Sequence, residues 1–316
     1  MTKAAPSTST GLDWALFVLL GFFWGSSYLF IKIAVDAGLG AFTVVAGRLL
    51  IGMILLAVVV GVARESLPRE RRMYGHLTVM GFFSVALPFM LITIAEQSVD
   101  SSLAAVLTGA VPLFTIPFAA LLLPAERITL NGLLGIAIGL IGVAIVVGFD
   151  PSQLSGNELV AELALIGASA SYAIGGVYAR RNVHGLRPMI PALFQVTIAF
   201  IMTVIPAAII ERPWEGALAS EALVAVVWLG VFGSGMAYLV FFRLLRSWGA
   251  TRTSLVAYLL PIWGIALGAL VLNEPIDARL LLGTALVIGG IALVNIRRAS
   301  PKSFGHGPNS VAPTEG

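Results

Sequence analysis

Apolar stretches about 20 residues long, set apart by short polar turns, follow one another along almost the whole chain. A helix needs about that many residues to cross the hydrocarbon of a bilayer, so each stretch predicts a span. Ten are predicted, at about 14–35, 41–62, 75–95, 101–123, 129–148, 161–180, 189–210, 222–242, 252–272 and 278–296. The runs are continuous rather than alternating over about 10 residues, which argues for helices and against a barrel. The expectation is therefore an all-α integral membrane protein. Residues 1–12 read as a polar tail, and 298–316 as a Pro/Gly/Ser-rich tail that cannot bury a core. The first apolar run is of full span length and has no small-residue cleavage site, so it reads as a helix and not a signal peptide.

Composition agrees with the pattern. Hydrophobic residues make up 58% and charged ones 11%, about half the charge of a soluble domain. The pI near 9.4 carries no nucleic-acid signal, because the cations lie in turns, where they set topology. Fifteen of the 19 Lys and Arg fall on the side where the chain starts, three (Lys32, Arg212, Arg279) on the other, and Arg48 lies inside a span. The excess predicts both termini in the cytoplasm. No cysteine is present, which excludes disulfides and thiolate chemistry.

The chain also repeats itself. Ser101–Arg127 and Ala250–Pro275 share a plan of small and hydroxyl residues, a central proline (Pro112, Pro261), an apolar half and a glutamate (Glu126, Glu274). At offsets of about 147 to 149 residues Trp24 falls on Tyr172, Lys32 on Arg180, Arg48 on Gln195, Gly81 on Gly230, Phe83 on Phe232, Gly135 on Gly283 and Gly142 on Gly290. Two units result, 13–148 and 160–297. Five spans is an odd number, so the second unit enters from the opposite side, as in the inverted repeats of secondary transporters.

These features, with WGSSYLFIK (Trp24–Lys32) in the first span and Arg48 in the second, resemble the drug/metabolite transporter superfamily, EamA branch, over about residues 12–297. The resemblance implies ten helices and export of amino acids and related metabolites across a bacterial inner membrane. Relatives of that superfamily carry nucleotide sugars or triose phosphates in organelles.

Beside the resemblance stand the residues themselves. Pro112, Pro117 and Pro261 free backbone carbonyls and kink their helices, serving either as hinges or as simple bends. Arg48 is the one charge well inside a span, and such a charge costs a few kcal/mol. It either anchors a substrate carboxylate or pins a neighbouring helix. Lys32 is a second anchor candidate, against plain snorkelling. Trp24, Tyr28, Tyr258 and Trp263 are the expected aromatic contacts, with packing as the alternative, and Gln195 offers an amide or an interhelical bond. Asp13, Glu96, Glu126, Glu162 and Glu274 fall at span ends, which lowers the expectation of a shared proton and cation site for drug efflux; Glu96 and Glu162 remain able to titrate if a cavity reaches them. Gly135–Gly139 and Ala285–Gly289 allow close helix approach, within the monomer or across a homodimer.

No P-loop, metal-ligand spacing or nucleophile–base pair stands out, and His76, His184 and His306 are placed in loops or tail. No metal, cofactor or nucleic acid is expected, and the expected partners are a small-molecule substrate and membrane lipid. The reading is a secondary transporter, most simply an amino-acid exporter of the inner membrane. The alternatives are export of other metabolites or drugs, a lipid scramblase, or an intramembrane enzyme.

Overall fold

The computed structural model describes residues 11–123, 126, 128–148, 157–215 and 219–295, without the side chains of residues 250 and 251. Arg127, Lys3, Lys302, His306, the second tail and all but the last two residues of the first lie outside them. Within the described residues ten helices have the length and apolarity to cross a membrane: α1 Gly11–Asp36, α2 Ala41–Val62, α3 Arg71–Ala95, α4 Ser101–Leu122, α5 Leu130–Val147, α6 Asn157–Asn182, α7 Met189–Glu211, α8 Ser220–Gly249, α9 Ser254–Leu272 and α10 Ala278–Asn295. Helices dominate because hydrocarbon offers a backbone no partner but itself. We call the side where α1 begins the near face and the other the far face.

The expected spans are all present, and the differences lie at their ends. The first tail was expected to reach residue 12, but α1 already starts at Gly11. α8 runs to Gly249 rather than 242, because Arg243 and Arg246 end an apolar run without being poor helix formers. Gly249, at φ 76°, supplies the break. His76 was expected in a loop but lies within α3, its Nδ1 2.8 Å from the Tyr178 hydroxyl of α6.

Helix pairing is reciprocal. α1 packs on α8 and α9, α6 packs on α3 and α4, α2 lies along α7, and α5 lies along α10. Shifting the first set by half the chain exchanges α1 with α6, α8 with α3 and α9 with α4, a pattern consistent with inverted repeats. The irregularities are exchanged too: α3 is π-helical at Phe82–Ala86 and α8 at Leu229–Met236.

α4 is two segments. Ser101–Gly109 and Val111–Leu122 meet at Ala110, with Pro112 in the first turn of the second. Pro112 has no N–H for the Thr108 carbonyl; Ser169 of α6 donates to that oxygen at 3.2 Å and to Leu107 O at 2.9 Å. α9 is likewise tightened at Ser254–Tyr258 before Leu259–Leu272, which contains Pro261. The two broken helices touch at their breaks: a Cβ on Gly109 would lie 2.9 Å from Pro261 Cγ.

The glycines of α5 and α10 face each other. A Cβ on Gly142 would lie 2.7 Å from the Gly283 carbonyl oxygen, and one on Gly135 would lie 2.5 Å from that of Gly290. Gly283 and Gly290 make this contact, whereas Gly289 has open space about it. The Gly135–Gly139 motif is thus used inside the monomer. Gly142→Leu should lower the thermal unfolding midpoint of the detergent-solubilised protein, by the equivalent of about 1–3 kcal/mol of overpacking. Gly289→Ala should leave it unchanged or raise it. Equal behaviour of the two variants would contradict this packing.

Candidate functional site

Arg48 sits two turns into α2 and is 3% exposed. Its Nε donates to Ser234 Oγ of α8 at 3.3 Å, and its guanidinium lies over the Phe89 ring of α3, 4.2 Å from the centroid. The π-helical turn of α8 is what brings the backbone so near. A Cβ on Gly233 would sit 2.9 Å from Ser27 Oγ and 3.1 Å from Arg48 Nη2, so a glycine is what lets α8 come this close to the guanidinium. π-bulges gather at functional sites because they turn backbone and side chains toward a cavity. Here the bulge presents Ser234.

Around the guanidinium stand Tyr172 of α6, Tyr238 of α8, Tyr28 of α1 and Glu96 at the end of α3, all within electrostatic reach. Tyr238 stands beside the Gln195 side chain of α7 and meets the Trp24 ring edge-on, with centroids 6.5 Å apart. The Tyr28 hydroxyl shares a 2.6 Å hydrogen bond with Thr108 of α4. Seven helices therefore contribute to one buried polar cluster inside the bundle, with both halves of the chain represented. Among the described residues no carboxylate lies within ion-pair distance of Arg48. The guanidinium presents a planar, always-charged fork to a carboxylate or phosphate group, and the surrounding rings offer apolar faces with polar tips.

The structure brings together Trp24, Tyr28, Arg48 and Gln195 among the residues expected to meet a substrate. Lys32 is engaged elsewhere: its Nζ donates to Glu96 O at 3.0 Å and pairs with Asp36 at 3.1 Å. Tyr258 hydrogen-bonds Asn295 of α10 at 2.8 Å. Trp263 meets Phe22 edge-on and lines an open apolar groove of about 570 Å³ with Trp14, Val18 and Leu19. Neither aromatic joins the Arg48 cluster. Ser234, Phe89 and Thr108 join it without having been singled out, as do Tyr172 and Tyr238. The offset carried a signal for Ser234, because the glycines of GVFGSGM follow the repeat partner of Gly81.

The two faces differ. On the far face Glu274 accepts from Ser101 N at 2.8 Å and Ser102 N at 2.9 Å, and from the Ser102 hydroxyl, capping α4. Glu211 at the end of α7 does the same for α2, accepting from Phe42 N at 2.9 Å and from Thr43 N and Oγ1 at 2.7 Å each. A carboxylate is favoured there by the unpaired N–H groups and the positive end of the helix dipole. Gly264 and Gly268 of α9 let Ala105 and Ser102 of α4 come into contact, so the far half of α4 is sealed on α9. Its near half packs chiefly on α5, α6 and α10 instead. There Glu126, the repeat partner of Glu274, forms a 2.7 Å ion pair with Arg180, both half-exposed. A cleft of about 330 Å³ opens beside it, lined by Leu122, Val177, Tyr178, Arg181 and Asn182.

Known proteins share this architecture. The chain is 29% identical over 293 residues to the inner membrane transporter YedA of Escherichia coli K12, covering 90% of each. It is 25% identical to the transporter YvbV of Bacillus subtilis 168 over 98% of this chain and 99% of that one. An S-adenosylmethionine/S-adenosylhomocysteine transporter of Chlamydia trachomatis is 25% identical over 89% of each chain. A solved crystal structure superposes with a TM-score of 0.63 at 19% identity, over 90% of this chain and 96% of that one, and shares the fold alone. The sequence model of the EamA-like transporter family matches residues 13–148 and again 159–296. With both halves matched, the chain belongs to the EamA-like transporter family, the branch of the drug/metabolite transporter superfamily that its sequence resembles.

Proposed function

We propose that the protein is a secondary transporter that moves small carboxylate-bearing metabolites, amino acids foremost, out of the cell across a bacterial inner membrane. One observation carries the proposal: the buried Arg48 fork, held by Ser234 and Phe89 and lacking a carboxylate partner among the described residues. A charge kept at that depth needs a ligand or a partner, and the tyrosines and amide gathered about it suit a zwitterion. The family and its transporter relatives support transport rather than catalysis.

The near face is cytoplasmic in this reading, from the Lys and Arg excess in its turns, and the double match to one family model supports treating 13–148 and 160–297 as inverted units. The conformation is then open inward: far-face caps in place, the near half of α4 away from α9. Transport alternates this with an outward-open form, pivoting at the Ala110 break and at Pro112 and Pro261. Pro117, inside the second segment of α4, bends the arm that swings. The glycines consumed between α5 and α10 leave the monomer self-sufficient, and a homodimer would use another face.

In proteoliposomes tested against an amino-acid panel, Arg48→Ala should raise the half-saturating concentration of carboxylate-bearing substrates about 10- to 100-fold, the loss of a charge-assisted bond of about 1.5–3 kcal/mol. Arg48→Lys should fall between, keeping the charge without the fork. Unchanged flux of every accepted substrate in Arg48→Ala would remove the anchor.

The chain contains no cysteine, so Ala105→Cys, on the face of α4 that packs against Gly264 of α9, reports on the far face alone. Maleimide should label it during transport, and labelling should stop flux. A thiol that stays unlabelled while substrate turns over would show that α4 and α9 do not part.

A further inference from the structure

α3 ends at Ala95, and Glu96 caps it with its N–H bonded to Ile92 O at 2.9 Å. Its side chain is 0% exposed, and neither carboxylate oxygen has a hydrogen-bond partner. An ionised carboxylate accepts at up to about four sites, and buried without one it is penalised by several kcal/mol. The neutral acid escapes that penalty. The nearest cation, Lys32, bonds the Glu96 backbone carbonyl and Asp36 rather than the carboxylate.

The charged groups that face Glu96 are Lys32 and Asp36 from α1, Arg48 from α2 and Glu274 beyond α9, together with the Tyr28 hydroxyl. Glu96 stands just beyond the α3 span. Burial pushes its carboxyl well above the usual carboxylate range; Lys32 and Arg48 pull it down, while Glu274 and Asp36 push it up. Glu274 is also the residue that caps α4 and closes the far face. The orphaned carboxyl is therefore within electrostatic reach of both the closing contact and the Arg48 guanidinium.

We propose that Glu96 is a proton-binding site whose occupation accompanies closure of the far face. The far-closed protein holds the neutral acid. When α4 and α9 part, water reaches the carboxyl, its O–H bond breaks, the proton passes to that water, and the carboxylate remains beside Lys32. The far-closed form then binds more protons than the far-open one, so by linkage acid favours closure and rising pH favours opening. The shift begins near the ordinary glutamate value, about 4.3, and continues up to the raised value of the buried carboxyl. Above that it levels off. The proposal rests on the reading that the far face opens, which labelling during transport tests separately, and it does not depend on substrate identity.

Two measurements on the protein in lipid nanodiscs test it without substrate. The infrared spectrum at neutral pH should contain the carbonyl band of a buried protonated carboxylic acid, and Glu96→Gln should abolish it. A parent spectrum without that band, or a band unchanged in Glu96→Gln, overturns the site. In the single-cysteine protein Ala105→Cys, maleimide labelling divided at each pH by the rate on the same protein unfolded, which removes the pH dependence of the thiolate itself, should rise at least about tenfold from about pH 5 to about pH 9, as one unit of pKa difference between the two forms requires. Adding Glu96→Gln should hold this ratio at its low acid value throughout, while Glu96→Asp should keep a pH dependence. A ratio independent of pH in the parent, or a Gln variant that follows the parent curve, overturns the link to closure.

Discussion

A backbone group left unpaired in hydrocarbon costs several kcal/mol, and the irregular parts of this bundle are arranged around that constraint. Pro112 deprives Thr108 O of its donor, and Ser169 supplies one from α6. In the π register of α3 the Phe83 carbonyl would look to residue 88, a proline, and Ser171 donates to it at 2.8 Å. The start of α2 draws on Glu211 and the start of α4 on Glu274. In each case the donor or acceptor comes from the second half of the chain and serves α2, α3 or α4 of the first. The second half supplies what the backbone of the first half lacks.

That exchange also explains where the site lies. Broken and bulged helices are tolerable only where protein or water faces them, so α3, α4, α8 and α9 turn their irregular faces inward and leave regular, apolar faces such as Leu133, Leu134 and Ile141 of α5 to lipid. The interior thereby becomes the one region with polar groups to spare. Arg48 is stable at that depth because the Phe89 face and Ser234 meet it there, and both are placed by helices that deviate from ideal geometry.

The ten spans were legible in the sequence because bilayer thickness fixes their length, whatever the tertiary contacts. Ends were less so: nothing in the composition of Arg243–Trp248 separates a helix that leaves the membrane from a turn. Arg48 and Gln195 could be read because a polar group inside a span is expensive and therefore conspicuous. Trp263 and Tyr258 show the opposite case, since an aromatic at mid-span carries no mark of the helix face it occupies, and theirs lead to a groove and to Asn295. Glu96 was placed correctly at a span end, yet its complete burial arises from the folding of the far face over it, which no local pattern encodes. Ser169 and Ser171 were unremarked because serine is unexceptional in a membrane helix; counting the donors that Pro88 and Pro112 lack would have called for them.

The contrast between Glu274 and Glu126 decides how firmly the far face is shut. Glu274 makes three hydrogen bonds to the start of α4 in a dry interface, where a charge-assisted bond is worth about 1.5–3 kcal/mol. Parting α4 from α9 does not forfeit that sum, because water enters the same gap and hydrates both the carboxylate and the freed N–H groups. The net difference between the forms is then small compared with the gross strength of the contacts. Glu126 already shows the exchanged condition, half-exposed and turned to Arg180. A closure built of caps rather than of large apolar area can therefore be tight in one form and still reversible, with the surrounding charges setting which face holds it.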